Sequence, residues 1–317
     1  MAYGGTTAGT SGTYSQASVQ GKSRINAING QRGIRNCGYP YTDTIDYFTI
    51  QVTGNAIDFG ENSISTSDMM SASDGIRFVN TMGAGPGSSG GTTSGNDMSY
   101  KQFMSTGNAV DWGDLLQALR HGDQLSGGVR ALTVAGYTGS TNTTTLQKYN
   151  VGNIGSAVNY YDGYRTEAMY DLASGSDGSR GVMFGGEGPE TTTIDYISIY
   201  VESDAVDFGE MFLEGRMGGT MHGARGWRNG GDVNDTAYNG IEMFEIGTKG
   251  NAVDYGELTQ ARYYAIGTSD GIRNVTHSGT DPGSNVIDYY QSYVFSNALD
   301  FGDLTSSQGR CGAAAGG

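Results

Sequence analysis

Apolar residues along this chain come in short runs separated by glycine, aspartate and serine, and the pattern is clearest over residues 262–302. Arg262-Tyr-Tyr-Ala-Ile-Gly-Thr is one run, the turn Ser269-Asp270-Gly271 follows, and Ile272-Arg273-Asn274-Val275-Thr276-His277 is the second, ending in Ser278-Gly279. After a polar loop come Val286-Ile287-Asp288-Tyr289-Tyr290 with Tyr293-Val294-Phe295, then a turn at Ser296 and the stretch Asn297–Gly302. Runs this short, rich in β-branched and aromatic residues and bounded by turn formers, predict a unit of four antiparallel strands.

The unit recurs. Its last element has six near-copies, at Asn55–Gly60, Asn108–Gly113, Ser156–Tyr161, Asp204–Gly209, Asn251–Gly256 and Asn297–Gly302, whose starts lie 46 to 53 residues apart. Four-stranded units at that period predict one all-β domain over residues 1–317, a β-propeller in which radial packing protects the strand edges. The blades fall at about 22–61, 62–114, 115–162, 163–210, 211–257 and 258–303. Residues 304–317 begin another first strand, and the leader 1–21 resembles parts of second and fourth strands. The expectation is therefore seven blades, the last a composite closing blade of both termini; six blades with loose ends is the alternative.

Glycine supplies 54 of the 317 residues and proline only 4, so the glycines punctuate turns. The formal charge of −15 speaks against nucleic acid as a partner, since phosphate binding needs basic patches. No apolar run reaches the length of a membrane span, and the amino terminus lacks the basic and apolar regions of a signal peptide, so no membrane insertion is expected. Cys37 lies in the second strand of the first blade and Cys311 in the closing strand. Two cysteines are compatible with free thiols in a reducing cytoplasm or with a disulfide latching the ring closure.

Two charged columns repeat from blade to blade. Asp58, Asp111, Asp207, Asp254 and Asp300 occupy the fourth strand, with Asn159 in the third blade, and Arg35, Arg77, Arg130, Arg180, Arg228 and Arg273 follow the first turn. A catalytic site needs different groups in one place, whereas these are the same groups in six places. They are expected to be structural, each aspartate capping a turn or pairing with an arginine. The histidines, His121, His222 and His277, fall at non-equivalent positions in different blades, so neither a metal site nor a cofactor is expected, and no nucleophile or phosphate-loop motif is present.

Loops joining strands one to two and three to four are uniform, whereas those on the other face vary. Variable loops on a rigid scaffold are where binding specificity sits. The candidate binding residues on that face are Tyr137, Thr141, Asn142, Asp232, Asn234, Asp235, Tyr238 and Asp281, a mixture suited to carbohydrate hydroxyls or a protein surface.

The turn glycine of the second strand, its small-residue end (Gly185-Gly186, Gly230-Gly231), the Asp-Tyr of the third strand and the aromatic of the fourth resemble kelch-like propellers. The wording Ile-Asp-Tyr, Asn-Ala-(Val/Ile)-Asp-Phe-Gly and Ser-Asp-Gly-Ile-Arg resembles repeats of predicted virion proteins of tailed phages, cyanophages above all, over about residues 22–310. That resemblance implies a non-enzymatic virion protein assembled in the host cytoplasm. It would be present in multiple copies, in a tail fibre, baseplate or adhesion role, contacting other virion proteins and a host surface glycan or protein. A capsid decoration or neck protein, and a glycan-processing enzyme on a propeller scaffold, are the alternatives.

Overall fold

In the computed structural model the described residues are 32–316, apart from 82, 86–94, 162–167, 189 and 280–282. They form six four-stranded antiparallel sheets. The first blade contains β1 (Arg32–Gly38), β2 (Thr42–Thr49) and β3 (Ile57–Thr66), and the second β4 (Met70–Ser73), β5 (Arg77–Thr81), β6 (Gly95–Gln102) and β7 (Val110–Leu119). The third holds β8 (Asp123–Ser126), β9 (Arg130–Val134), β10 (Leu146–Asn150) and β11 (Val158–Tyr161), and the fourth β12 (Ala173–Ser176), β13 (Arg180–Phe184), β14 (Thr193–Ser198) and β15 (Val206–Glu210). The fifth has β16 (Gly218–His222), β17 (Arg225–Val233), β18 (Thr236–Glu245) and β19 (Val253–Glu257). The sixth has β20 (Ile266–Ser269), β21 (Arg273–His277), β22 (Ser284–Gln291) and β23 (Leu299–Gln308).

The last strand, β24 (Gly312–Gly316), corrects the seven-blade expectation. It does not begin a seventh blade but lies on β1 as the innermost strand of the first, with Arg32 opposite Gly316 and Asn36 opposite Gly312. The ring closes at six blades because an unpaired inner edge on β1 is a row of unsatisfied backbone groups, and the carboxy-terminal strand satisfies it. The leader 1–21 assigned to the closing blade lies outside the described residues.

The recurrent Asn-Ala-Val-Asp-Phe-Gly element is the start of each outermost strand and clasps one blade to the next. Its aromatic, Phe59, Trp112, Tyr160, Phe208, Tyr255 or Phe301, is at most 3% exposed. Edge-on ring contacts carry it into the following blade, as between Phe59 and Phe78, Phe208 and Phe244, and Phe301 and Phe48. Its first side chain accepts a backbone N–H from the preceding blade's outer strand: Asn108 from Glu61, Asn251 from Glu210, Asn297 from Glu257 and Asn55 from Asp303. The motif glycine is required by close approach. At Gly60 φ is +142°, and a Cβ would lie 2.3 Å from the carbonyl oxygen of Gly107 in the next blade. Gly60→Ala is therefore expected to cost about 2–3 kcal/mol, read as a lowered urea midpoint at unchanged slope.

The arginine column is also an inter-blade device, but in a corrected register. Nη1 of Arg77, Arg130, Arg180 and Arg273 donates to carbonyls of the next blade, at Gly152, Ile199, Ile246 and Ile50 respectively. The equivalent residues in the first and fifth blades are Arg32, donating to Phe103, and Arg225, donating to Ser292. Arg35 and Arg228 sit three residues further along their strands. They are buried, and pair with Asp46 and Glu242 of the adjacent strand. Both blades carry a second Gly-x-Arg triplet with a different role: Gly33 and Gly226 lie under the rings of Phe48 and Phe244, where a Cβ would be 2.3 Å away.

The fourth-strand aspartates are exposed and stand opposite the third-strand column, Asp58 against Asp46 and Asp300 against Asp288. No ion pair joins Asp58, Asp111, Asp207, Asp254 or Asp300 to an arginine among the described residues. Asp58 caps its own strand by accepting the Gly60 N–H at 3.2 Å, while the tight turns are capped by Asp74, Asp177 and Asp270, each accepting two successive backbone N–H groups at 2.7 to 2.9 Å.

Cys37 and Cys311 are neighbours of the Asn36–Gly312 pair, and both stand as buried free thiols in this structure. Cys37 is held at φ 55° with Sγ accepting from Asn62 at 3.4 Å, while Cys311 Sγ donates to the Gly309 carbonyl. Burial pushes the two thiols up to about 12 and about 11, so both stay protonated at neutral pH.

Candidate functional site

Each blade begins with a connection from the preceding outer strand to its own inner strand, and the residue two places before that inner strand reaches the axis. In blade order from the second these residues are Asp68, His121, Asp171, Arg216, Tyr264 and Arg310, six equivalent positions with four different chemistries. Five of them hold left-handed φ angles of 53° to 56°, and Arg216 follows Gly215 at φ 101°. Non-glycine residues adopt that conformation at a cost, here repeated five times to turn side chains of separate blades toward one point. These residues or their immediate neighbours line one pocket, together with Met69, Leu172, Met217 and Ala265.

Charges in the pocket are closely matched. His121 Nδ1 is 2.7 Å from Asp171 Oδ1 and 3.1 Å from Asp68 Oδ1. The distal oxygens accept from hydroxyls, Asp171 Oδ2 from Tyr264 and Asp68 Oδ2 from Ser67, both at 2.7 Å. Arg310 stands 3.6 Å from Asp68 and lies over the Tyr264 ring, 4.4 Å from its centroid. Arg216 covers Tyr263 and is held by Glu187 at 2.8 Å, by buried Asp232 at 2.6 Å and by Asp235. From His121 an aromatic path runs outward through Tyr170 to Tyr137, over which Arg120 lies.

Burial alone would lower the His121 imidazole, but Asp171 and Asp68 raise it to about 10. Burial would raise Asp68, yet the hydrogen bond and charge of His121, with Arg310 and Ser67, hold it below the usual carboxylate range. Burial and the Asp171 charge drive the Tyr264 phenol far up. His121 is thus charged when folded and titrates higher than when unfolded. The stability it contributes is complete below about 6.5, the unfolded value, and is lost as pH rises through about 10. His121→Gln is expected to flatten the fall of the melting temperature across that window, measured by thermal unfolding.

No protein-family model matches the chain, and no curated protein is significantly similar to it. Of the residues expected on the variable face, Asp232 and Asp235 converge on Arg216, and Tyr137 joins the aromatic path beside His121. Asn142 donates to the Ala168 carbonyl at 3.5 Å near the same rim. Thr141 closes a local turn with Thr138, while Asn234 and Tyr238 stand exposed away from the axial cluster. Asp281 lies outside the described residues.

The axial residues themselves were not singled out from the sequence. Their signal is a column whose identity changes from one unit to the next while its surroundings repeat.

Proposed function

We propose that this protein is a non-enzymatic binding propeller of a tailed-phage particle, engaging its target through the face that carries the variable loops and the axial pocket. The observation that carries the binding reading is the division of labour among residues. The repeated arginines are consumed in blade-to-blade bonds, whereas groups that differ from blade to blade converge on one face. The virion assignment rests on the resemblance of the repeat wording to predicted virion proteins of tailed phages.

Two further features support the reading. His121, charged up to about pH 10, and the Tyr264 phenol, raised beyond that, are not poised for proton transfer near neutrality, where general acid–base catalysis needs its groups. On the opposite face, the turns between third and fourth strands expose Val52, Met104, Ile154, Val201 and Val294, each 56–65% accessible. Apolar groups presented by five of six blades suit docking on another protein of the particle.

Immunogold labelling of intact particles together with binding of the purified chain to host cells tests the proposal. Label at fibre or baseplate and saturable cell binding are expected. Label confined to capsid faces would move the protein to a decoration role, and release of reducing sugar from host polysaccharide would overturn the non-enzymatic reading.

A further inference from the structure

We propose that the axial cluster of Asp68, His121 and Asp171 is a binding site for one first-row divalent metal ion of the zinc or manganese type. One ligand atom from each residue lies within 4.8 Å of the other two. The three come from the starts of the second, third and fourth blades, so a bound ion would tie three consecutive blades at the axis. An imidazole nitrogen with two carboxylate oxygens is a borderline donor set that favours such ions over calcium or magnesium, which prefer oxygen alone. Two carboxylates neutralise a dication with the imidazole neutral.

The surroundings have the form of an outer shell. Tyr264 and Ser67 hydroxyls hold the distal oxygens of Asp171 and Asp68, which aims the inner oxygens at His121 Nδ1. The pocket is open to solvent, which gives the ion an entry path and leaves room for a water ligand. The acidic neighbours Glu187, Glu190 and Asp232 also bring three oxygens together, but Arg216 already sits among them.

In the form described, the Nδ1 proton of His121 occupies the place between the carboxylates, and Arg310 supplies a second positive charge. Metal uptake displaces that proton to solvent and sets the dication against Arg310, which is about a third exposed and can turn away. Two consequences distinguish a metal site from a salt-bridge network. Affinity should rise about tenfold per pH unit while one proton is displaced. Removing Arg310 should tighten binding, although it removes an ion pair from the fold.

The test uses the full chain, stripped with EDTA and titrated with Co2+ and Zn2+ at pH 6, 7 and 8. About one equivalent retained through gel filtration, a visible Co2+ spectrum of nitrogen–oxygen ligation and the stated pH dependence are expected. Arg310→Ala should bind at least threefold more tightly, Tyr264→Phe should keep the stoichiometry, and His121→Gln should lose it. No retained Co2+ or Zn2+ in the unaltered chain, unchanged or weaker binding by Arg310→Ala, or full retention by a folded His121→Gln would each overturn the proposal. The Arg310→Ala result decides the matter even where His121→Gln does not fold.

Discussion

Arg262→Met is expected to lower the unfolding free energy by about 3–5 kcal/mol, because it strands a buried carboxylate. Arg262 and Asp288 are both fully buried and 2.7 Å apart. Nη1 of Arg262 also donates to the Val286 carbonyl at 2.9 Å, and Thr259 donates to the other oxygen of Asp288. Burial pulls the guanidinium below its ordinary value and pushes the carboxyl up, so each charge is costly alone and tolerable beside the other. The double variant Arg262→Met/Asp288→Leu is expected to recover most of the loss. Urea unfolding of the two single variants and the double variant provides the cycle. A single variant as stable as the unaltered chain would mean that water reaches Asp288.

A chain ending at Cys311 is expected to lose cooperative unfolding or to fall by about 5 kcal/mol, from five strand pairings at about 1 kcal/mol each. That loss equals the lower end of ordinary domain stability. Deleting β24 uncovers the inner edge of β1 and removes Ala313, Ala314 and Ala315, all fully buried, the second of them packed with Phe78 and Phe103. Near-ultraviolet circular dichroism and limited proteolysis report the result, with cleavage expected to begin in the first blade. Ala314→Glu provides the same test without shortening the chain. An intact melting transition in both would show that the first blade is stable on three strands.

The all-β class, the four-stranded unit and the positions of its turns were legible because glycine, aspartate and β-branched residues act locally and recur at one period. Ser269-Asp270-Gly271 reads as a turn and is one, its carboxylate capping Ile272 and Arg273. Blade number was not legible, since it depends on whether Gly312–Gly316 pairs with a strand some 280 residues earlier, and five small residues carry little pattern of their own. In two blades the arginine of the column stands three residues before the one the repeat suggests, because Gly33 and Gly226 serve as seats for aromatic rings and imitate the turn glycine. Asp68, His121 and Asp171 belong together only through the ring, each being an isolated polar residue in its own repeat.

Closure of the first blade by the last strand has a consequence for assembly. Residues 32–308 complete the second to sixth blades and three strands of the first before the partner of β1 exists. The exposed edge of β1 is then equally complementary to the last strand of its own chain and to that of another copy, because every β1–β24 bond is between backbone groups of the same geometry. At high concentration two chains can therefore exchange carboxy-terminal strands, each completing the other's ring. Such a dimer would have the bonds of two monomers, form during refolding rather than from native protein, and separate only as fast as a ring unfolds.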